Sequence, residues 1–272
     1  MPLSVLSLNL WNQDGPYSRR RERLREWIAR LDPDLIGFQE ALRGEDWDQV
    51  GELLEGTGHR FDYASASDYW AEPKLAFGNA VASRWPILDR EVLRLPDGGG
   101  DEQRSALSVT VEAPVGRLSF TSTHLNWRFH HGWIRELQVV ALCDLVLARR
   151  PEGGFPSIVV GDFNAEPDSA EMRYVAGLQS LRGRSVHFRD AWRIAGEGGP
   201  GFTWSRRNPY TRPWLEPDRR IDYVFVGYPQ VGGVGSVRHC RLVCDDERDG
   251  VWPSDHFGVY AEIRTEPEPE PS

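Results

Sequence analysis

Apolar and polar positions alternate between two periods along the chain, and the switches between them predict the elements. Val5 to Leu8 is a short apolar run that ends on Asn9, which reads as a strand. From Tyr17 to Leu31 the period lengthens, with Leu24, Trp27, Ile28 and Leu31 on one helical face and Asp32-Pro33 as the stop. Asp34 to Gln39 returns to a buried-strand pattern that delivers Glu40 at its end. Trp47, Val50, Leu53 and Leu54 predict a second helix, and Ile134, Leu137, Ala141 and Leu145 a third. Further strands are expected at Asn79–Ser83, Ala106–Val111, Leu118–His124, Ser157–Val160, Ile221–Val226, Val237–Val243 and Phe257–Ile263.

Many strands and few helices, without regular alternation, predict an α/β (α+β) fold rather than a doubly wound parallel sheet. Mixed sheets packed together with helices outside fit the pattern. The expected domain spans residues 1–264. From Thr265 to Ser272 glutamate alternates with proline, a composition that builds no core, so a disordered tail is expected at 265–272.

Composition narrows the function. The net charge is −9, and lysine occurs once, at Lys74. No basic stripe is visible, and Arg19, Arg20, Arg21 and Arg23 read as a solvated helix face, so non-specific polyanion binding is disfavoured. No apolar run reaches the roughly 18 residues of a membrane span. The start of the chain shows no basic leader or cleavage site. The three cysteines, Cys143, Cys240 and Cys244, form neither a disulfide framework nor a metal-binding spacing. A cytoplasmic protein is the expectation.

The informative pattern is that carboxylate, amide and imidazole side chains gather at the ends of separate apolar strands. Asn9, Glu40, His124, Asp162 and Asn164 follow such runs, whereas Asp222 and the pair Asp255-His256 open them. Rigid sheet ends preorganise a site. Hard oxygen donors without a cysteine cluster suit Mg²⁺ or Mn²⁺ better than zinc.

Six short motifs, in order, carry a resemblance over nearly the whole chain: Leu8-Asn9, Gln39-Glu40, Thr123-His124-Leu125, Gly161-Asp162-Phe163-Asn164, Arg220-Ile221-Asp222-Tyr223 and Ser254-Asp255-His256-Phe257. Together they resemble the endonuclease/exonuclease/phosphatase superfamily, whose members include pancreatic deoxyribonuclease, apurinic endonucleases and sphingomyelinases. The resemblance implies a four-layer α/β/β/α sandwich and a divalent-metal-dependent phosphoesterase. It makes Glu40 the principal metal ligand, with Asn9 and Asp255 in or beside the metal shell. Asp162 and Asn164 match the pair that orients the attacking water and contacts phosphate. Asp222 matches the carboxylate that holds the ring of His256, which is either the general base or a phosphate-polarising imidazole. His124 matches a histidine of the deoxyribonuclease and sphingomyelinase branches.

The expected reaction is hydrolysis of a phosphodiester, small or single-stranded, such as a nucleotide or short nucleic acid. Phe163-Asn164-Ala165-Glu166-Pro167 and Arg220-Ile221-Asp222-Tyr223 depart from the inositol polyphosphate 5-phosphatase pattern. Aromatic residues beside the motifs (Trp11, Trp127, Phe129, Trp133 and Trp252) are candidates for covering a base or an apolar group. Two alternatives stand beside this reading: a non-specific DNA or RNA nuclease, and a non-catalytic binding protein on the same fold. No protein partner is indicated.

Overall fold

The computed structural model describes residues 1–268. The first half of the fold runs β1 (Leu3–Asn9), α1 (Tyr17–Leu31), β2 (Leu35–Arg43), α2 (Gln49–Leu54), β3 (Arg60–Tyr69) and β4 (Glu72–Ser83). The second continues with β5 (Ile87–Arg94), β6 (Ser105–Ala113), β7 (Gly116–His124), α3 (Gly132–Ala148), β8 (Ile158–Asp162) and α4 (Ala170–Val175). It closes with β9 (Arg189–Asp190), α5 (Ala191–Ala195), β10 (Asp222–Val226), β11 (Val237–Val243) and β12 (Gly258–Ile263).

These strands form two six-stranded mixed sheets. One has the order β11-β12-β1-β2-β4-β3 and the other β5-β6-β7-β8-β10-β9. Each holds one parallel pair, β1 with β2 and β7 with β8, joined through α1 and α3 respectively. The inner faces meet in a core that includes Val5, Leu35, Val81, Leu107, Phe120, Val160 and Val224. Leu24, Trp27 and Ile28 of α1 cover the outer face of the first sheet with Val50 and Leu53 of α2. Val139, Leu142 and Val146 of α3 and Met172 of α4 cover the second. The result is the expected four-layer sandwich.

The sheets approach closely where β2 passes β8. A Cβ added at Gly37 would lie 2.2 Å from Val160 Cγ2, so only glycine allows this contact. The approach sets the distance between Glu40, three residues further along β2, and Asp162 at the end of β8. Two strands lacked a readable pattern. Nearly every residue of β5 is exposed, and β3 alternates weakly, with serine, alanine and aspartate through its centre.

Of the expected tail, Glu268 N donates to Gly232 O at 2.7 Å and Thr265 Oγ1 donates to Met1 O at 2.8 Å. Residues 269–272 lie outside the described ones. Among the described residues, no helix is long and apolar enough to cross a membrane.

Candidate active site

The strand ends of both sheets open at one edge of the sandwich, and ladder register brings their polar residues into line. In the second sheet Asp162 pairs with His124 on one side and Asp222 on the other. In the first sheet Asn9 pairs with Gln39, which leaves Glu40 one step beyond. Register slips between Phe38 and Ala41, and Glu40 takes φ +55°. A bulge with a left-handed non-glycine residue re-aims a side chain at some cost in backbone strain. Asn164, at φ +50°, and the consecutive pair Trp11 (φ +52°) and Asn12 (φ +37°) are strained in the same way. Four left-handed side chains around one pocket mark a built site.

The eight residues expected from sequence all come together. Asn9 Nδ2 donates across the sheets to Asp162 Oδ2 at 3.0 Å and to Glu40 Oε1 at 3.3 Å. Asp162 Oδ1 accepts from Asn164 N at 2.9 Å. Asp222 Oδ2 lies 2.9 Å from His256 Nδ1, and His256 Nε2 lies 3.7 Å from Asp162 Oδ2. Asp255 Oδ1 accepts from Ser254 Oγ at 3.2 Å. Arg104 Nη1 lies 2.8 Å from His124 Nδ1, and Asn164 Nδ2 lies 3.0 Å from His124 Nε2.

The electrostatics follow from this crowding. Burial, reinforced by Asp222, raises the Asp162 carboxyl to about 7, and burial with Glu40 nearby raises Asp255 to about 7. Burial opposes a charge on His256, but Asp222 and Asp162 outweigh it and push the imidazole well above the ordinary histidine value. His124 is driven the other way, well below that value, by burial and then by the Arg104 guanidinium. His256 is therefore the charged ring of the site and His124 the neutral one.

The donor set fits a hard divalent cation. Glu40, Asp162 and Asp255 place three carboxyl groups in the lining of one pocket, and Asp222 lies beside Asp162 and His256 with its Oδ1 buried without a hydrogen-bond partner. Asp162, Asp222 and His256 bring ligand atoms within 4.8 Å of one another. However, His256 Nδ1 is committed to Asp222, so a cation held by Glu40, Asp255 and Asn9 disturbs the pairing less. Acids raised from 3.8 to about 7 add stability that is present below the unfolded value and lost as pH rises through 7. His256 acts in the same direction and His124 in the opposite one, so the comparison is made at the same pH with and without cation. Excess Mg²⁺ should therefore raise the melting temperature more at pH 8 than at pH 5, in chelator-treated protein followed by calorimetry. Equal shifts at both values would argue against carboxylate ligands.

The pocket above these groups measures about 370 Å³, and its lining includes Trp11, Trp70, Trp127, Trp204 and Trp214. Trp204 stacks edge-on against His256 at 5.1 Å, and its buried Nε1 has no partner. Sequence reasoning singled out neither Trp70, Trp204 nor Trp214, because they sit in segments without periodicity. Nor did it find Asn12, whose Nδ2 donates to Glu40 Oε2 at 3.1 Å. Conversely, Trp252 is buried against Phe257, and Phe129 and Trp133 are exposed outside the pocket. The arginine cluster on α1 also needs correction, since Arg20 and Arg23 are buried rather than solvated.

A two-sheet sandwich with an Asp-His pair and clustered carboxylates at its open edge is the architecture of a phosphoesterase class. The family model for the endonuclease/exonuclease/phosphatase family matches residues 6–256. The chain belongs to that family. It is 21% identical to the uncharacterized Caenorhabditis elegans protein F14F9.5 over 304 residues, covering 96% of this chain and 90% of that one. The human Nocturnin catalytic domain with bound sulfate superposes with a TM-score of 0.74 at 20% identity, covering 96% of this chain and 93% of that one. Danio rerio (D. rerio) TDP2 complexed with single strand DNA product gives a TM-score of 0.74 at 21% identity, covering 96% and 98%.

Proposed function

We propose that the protein hydrolyses a small or single-stranded phosphodiester with the help of Mg²⁺ or Mn²⁺. The observation that carries this reading is the row His124–Asp162–Asp222 with His256 clamped to Asp222 at 2.9 Å, His124, Asp162 and His256 lining a pocket shared with Glu40 and Asp255. Glu40 and Asp255 are the residues that would hold the cation, and Asn9 would join them by turning toward it the Oδ1 that accepts from Trp11 N. A bound divalent cation supplies neutralisation of charge developing on the phosphate oxygens.

The chain's own groups divide the remaining work. Asp162, raised to about 7, suits the task of taking a proton from water near neutral pH. Asn164 orients that carboxylate through its backbone N–H. His256, held charged by Asp222, donates from Nε2 to a non-bridging oxygen, and neutral His124 adds a second imidazole beside it. As the water oxygen bonds to phosphorus the ester P–O bond breaks, and the leaving oxygen takes up a proton from solvent. A non-catalytic binder would have no use for two imidazoles tuned in opposite directions beside an acid raised to about 7. The three cysteines are free and buried, which suits the cytoplasmic location proposed with this reading.

The pocket mouth supports the substrate class. Trp70, Trp127 and Trp214 are exposed at its rim, where flat rings can stack on a base or cover an apolar group at about 1–3 kcal/mol per stacked base. Its two lining arginines are matched by acids, Arg104 with Glu102 at 2.6 Å and Arg219 with Glu216, and Arg128 next to Trp127 pairs with Asp101 at 2.9 Å. Paired arginines leave no basic track for a duplex. We expect turnover of bis(p-nitrophenyl) phosphate and short single strands with kcat/KM nearly independent of salt. A protein neutralising 6–10 duplex phosphates would lose about 10³-fold or more between 50 and 200 mM salt. Efficient plasmid nicking with that steep fall would replace this reading with the non-specific nuclease.

A further inference from the structure

Arg20 is 0% exposed, the largest fully buried side chain of the chain, and it makes no ion pair within 4.0 Å among the described residues. Its five N–H groups go instead to five main-chain carbonyls. Nε donates to Asp14 O at 2.9 Å, Nη1 to Leu10 O at 2.9 Å and Pro253 O at 3.0 Å, and Nη2 to Trp11 O at 3.0 Å and Asn12 O at 3.1 Å. A guanidinium has five donors in a fixed fork and no acceptor, so this side chain is saturated. Four of the carbonyls belong to the loop that leaves β1 after Asn9. The fifth belongs to the segment that delivers Asp255 and His256.

The loop cannot hold its shape alone. Trp11 and Asn12 are both left-handed, which turns successive carbonyls toward one point. Clustered carbonyl oxygens repel, and buried ones need partners. The guanidinium fills the space they enclose and stacks 4.7 Å from the Trp11 ring. Trp11 N returns a hydrogen bond to Asn9 Oδ1 at 2.9 Å, and Asn12 holds Glu40. On the other side, Ser254 Oγ donates to Asn9 O at 2.8 Å and touches Asp255. The side chain of α1 thus ties together the two segments that carry Asn9 and Asp255, and it reaches Glu40 through Asn12.

We propose that Arg20 is a positioning residue that assembles the cation site from two separate loops by saturating five convergent main-chain carbonyls. The proposal rests on the reading of Glu40, Asn9 and Asp255 as the cation ligands. Lysine keeps the charge but offers only three donors as a compact ammonium, so Arg20→Lys strands carbonyls and loosens both loops.

The test measures Mn²⁺ affinity by electron paramagnetic resonance on full-length wild type, Glu40→Gln, Arg20→Lys and Arg135→Lys. Arg135 is an equally buried arginine that bonds Glu171 and the carbonyls of Asn126 and Arg128 on the α3 side, so it reports general loss of stability. Arg20→Lys should raise the Mn²⁺ dissociation constant about tenfold or more, while Arg135→Lys keeps it within about twofold of wild type. Absence of wild-type binding, or wild-type affinity in Glu40→Gln, would remove the underlying ligand reading. Wild-type affinity in folded Arg20→Lys, with Glu40→Gln weakened, would overturn the hub itself. If Arg20→Lys does not fold, Arg20→Gly is refolded with millimolar guanidinium or methylammonium. Recovery of Mn²⁺ binding with guanidinium alone supports the hub, and failure with guanidinium overturns it.

Discussion

Asp162→Asn should lower kcat by about 10³-fold, within the 10²–10⁴ range expected for loss of a positioned base, while the protein stays folded. The amide cannot take a proton, but it occupies the same volume and keeps an oxygen for Asn164 N, which bonds the native carboxylate at 2.9 Å. Stability should fall by about 1–3 kcal/mol, because the new amide nitrogen takes the place of the Oδ2 that accepts from Asn9 Nδ2 at 3.0 Å. A protein still folded at the assay temperature beside a collapsed kcat would separate chemistry from folding. His256→Ala should match the loss, because it removes the charged donor. Asp222→Asn should cost less, since it loosens the ring at 2.9 Å without removing it. Turnover of Asp162→Asn within about tenfold of wild type would end the assignment of the base.

Chelation should abolish turnover altogether, and Mg²⁺ or Mn²⁺ should restore it. Asp162 and Asp255 are both raised to about 7 by burial first of all, which is the signature of carboxylates crowded in a dry site with too little positive charge. Arg20 is a buried cation whose charge acts on Asp255, yet its N–H groups are all spent on carbonyls. A divalent ion is the natural counter-charge. Glu40→Gln should keep the fold and shift the cation requirement to higher concentration, read as the half-saturating Mg²⁺ for turnover. Full activity after exhaustive dialysis against chelator would sink the metal-dependent reading, whatever the behaviour of Glu40→Gln.

Much of the framework was legible in the chain itself, because local chemistry writes it. The α1 bounds, Tyr17 to Leu31, follow from apolar spacing and the Asp32-Pro33 stop, and β11 spans the expected Val237–Val243. The eight polar residues at strand ends were visible as interruptions of apolar runs, and six short motifs sufficed to indicate the family. What no local pattern contains is distance between segments. Asn9 meets Asp162 across 153 positions of sequence because β1 and β8 lie in different sheets that pack face to face, at Gly37 and Val160 too closely for any side chain on residue 37. Arg20 reads as one of four surface arginines until the β1 loop folds its carbonyls around it. Trp252 looks like a wall of the site and is core, whereas Trp70, Trp204 and Trp214 look unremarkable and line it. Periodicity reports which face of an element is buried, but a loop side chain has no face until tertiary packing decides what lies opposite it.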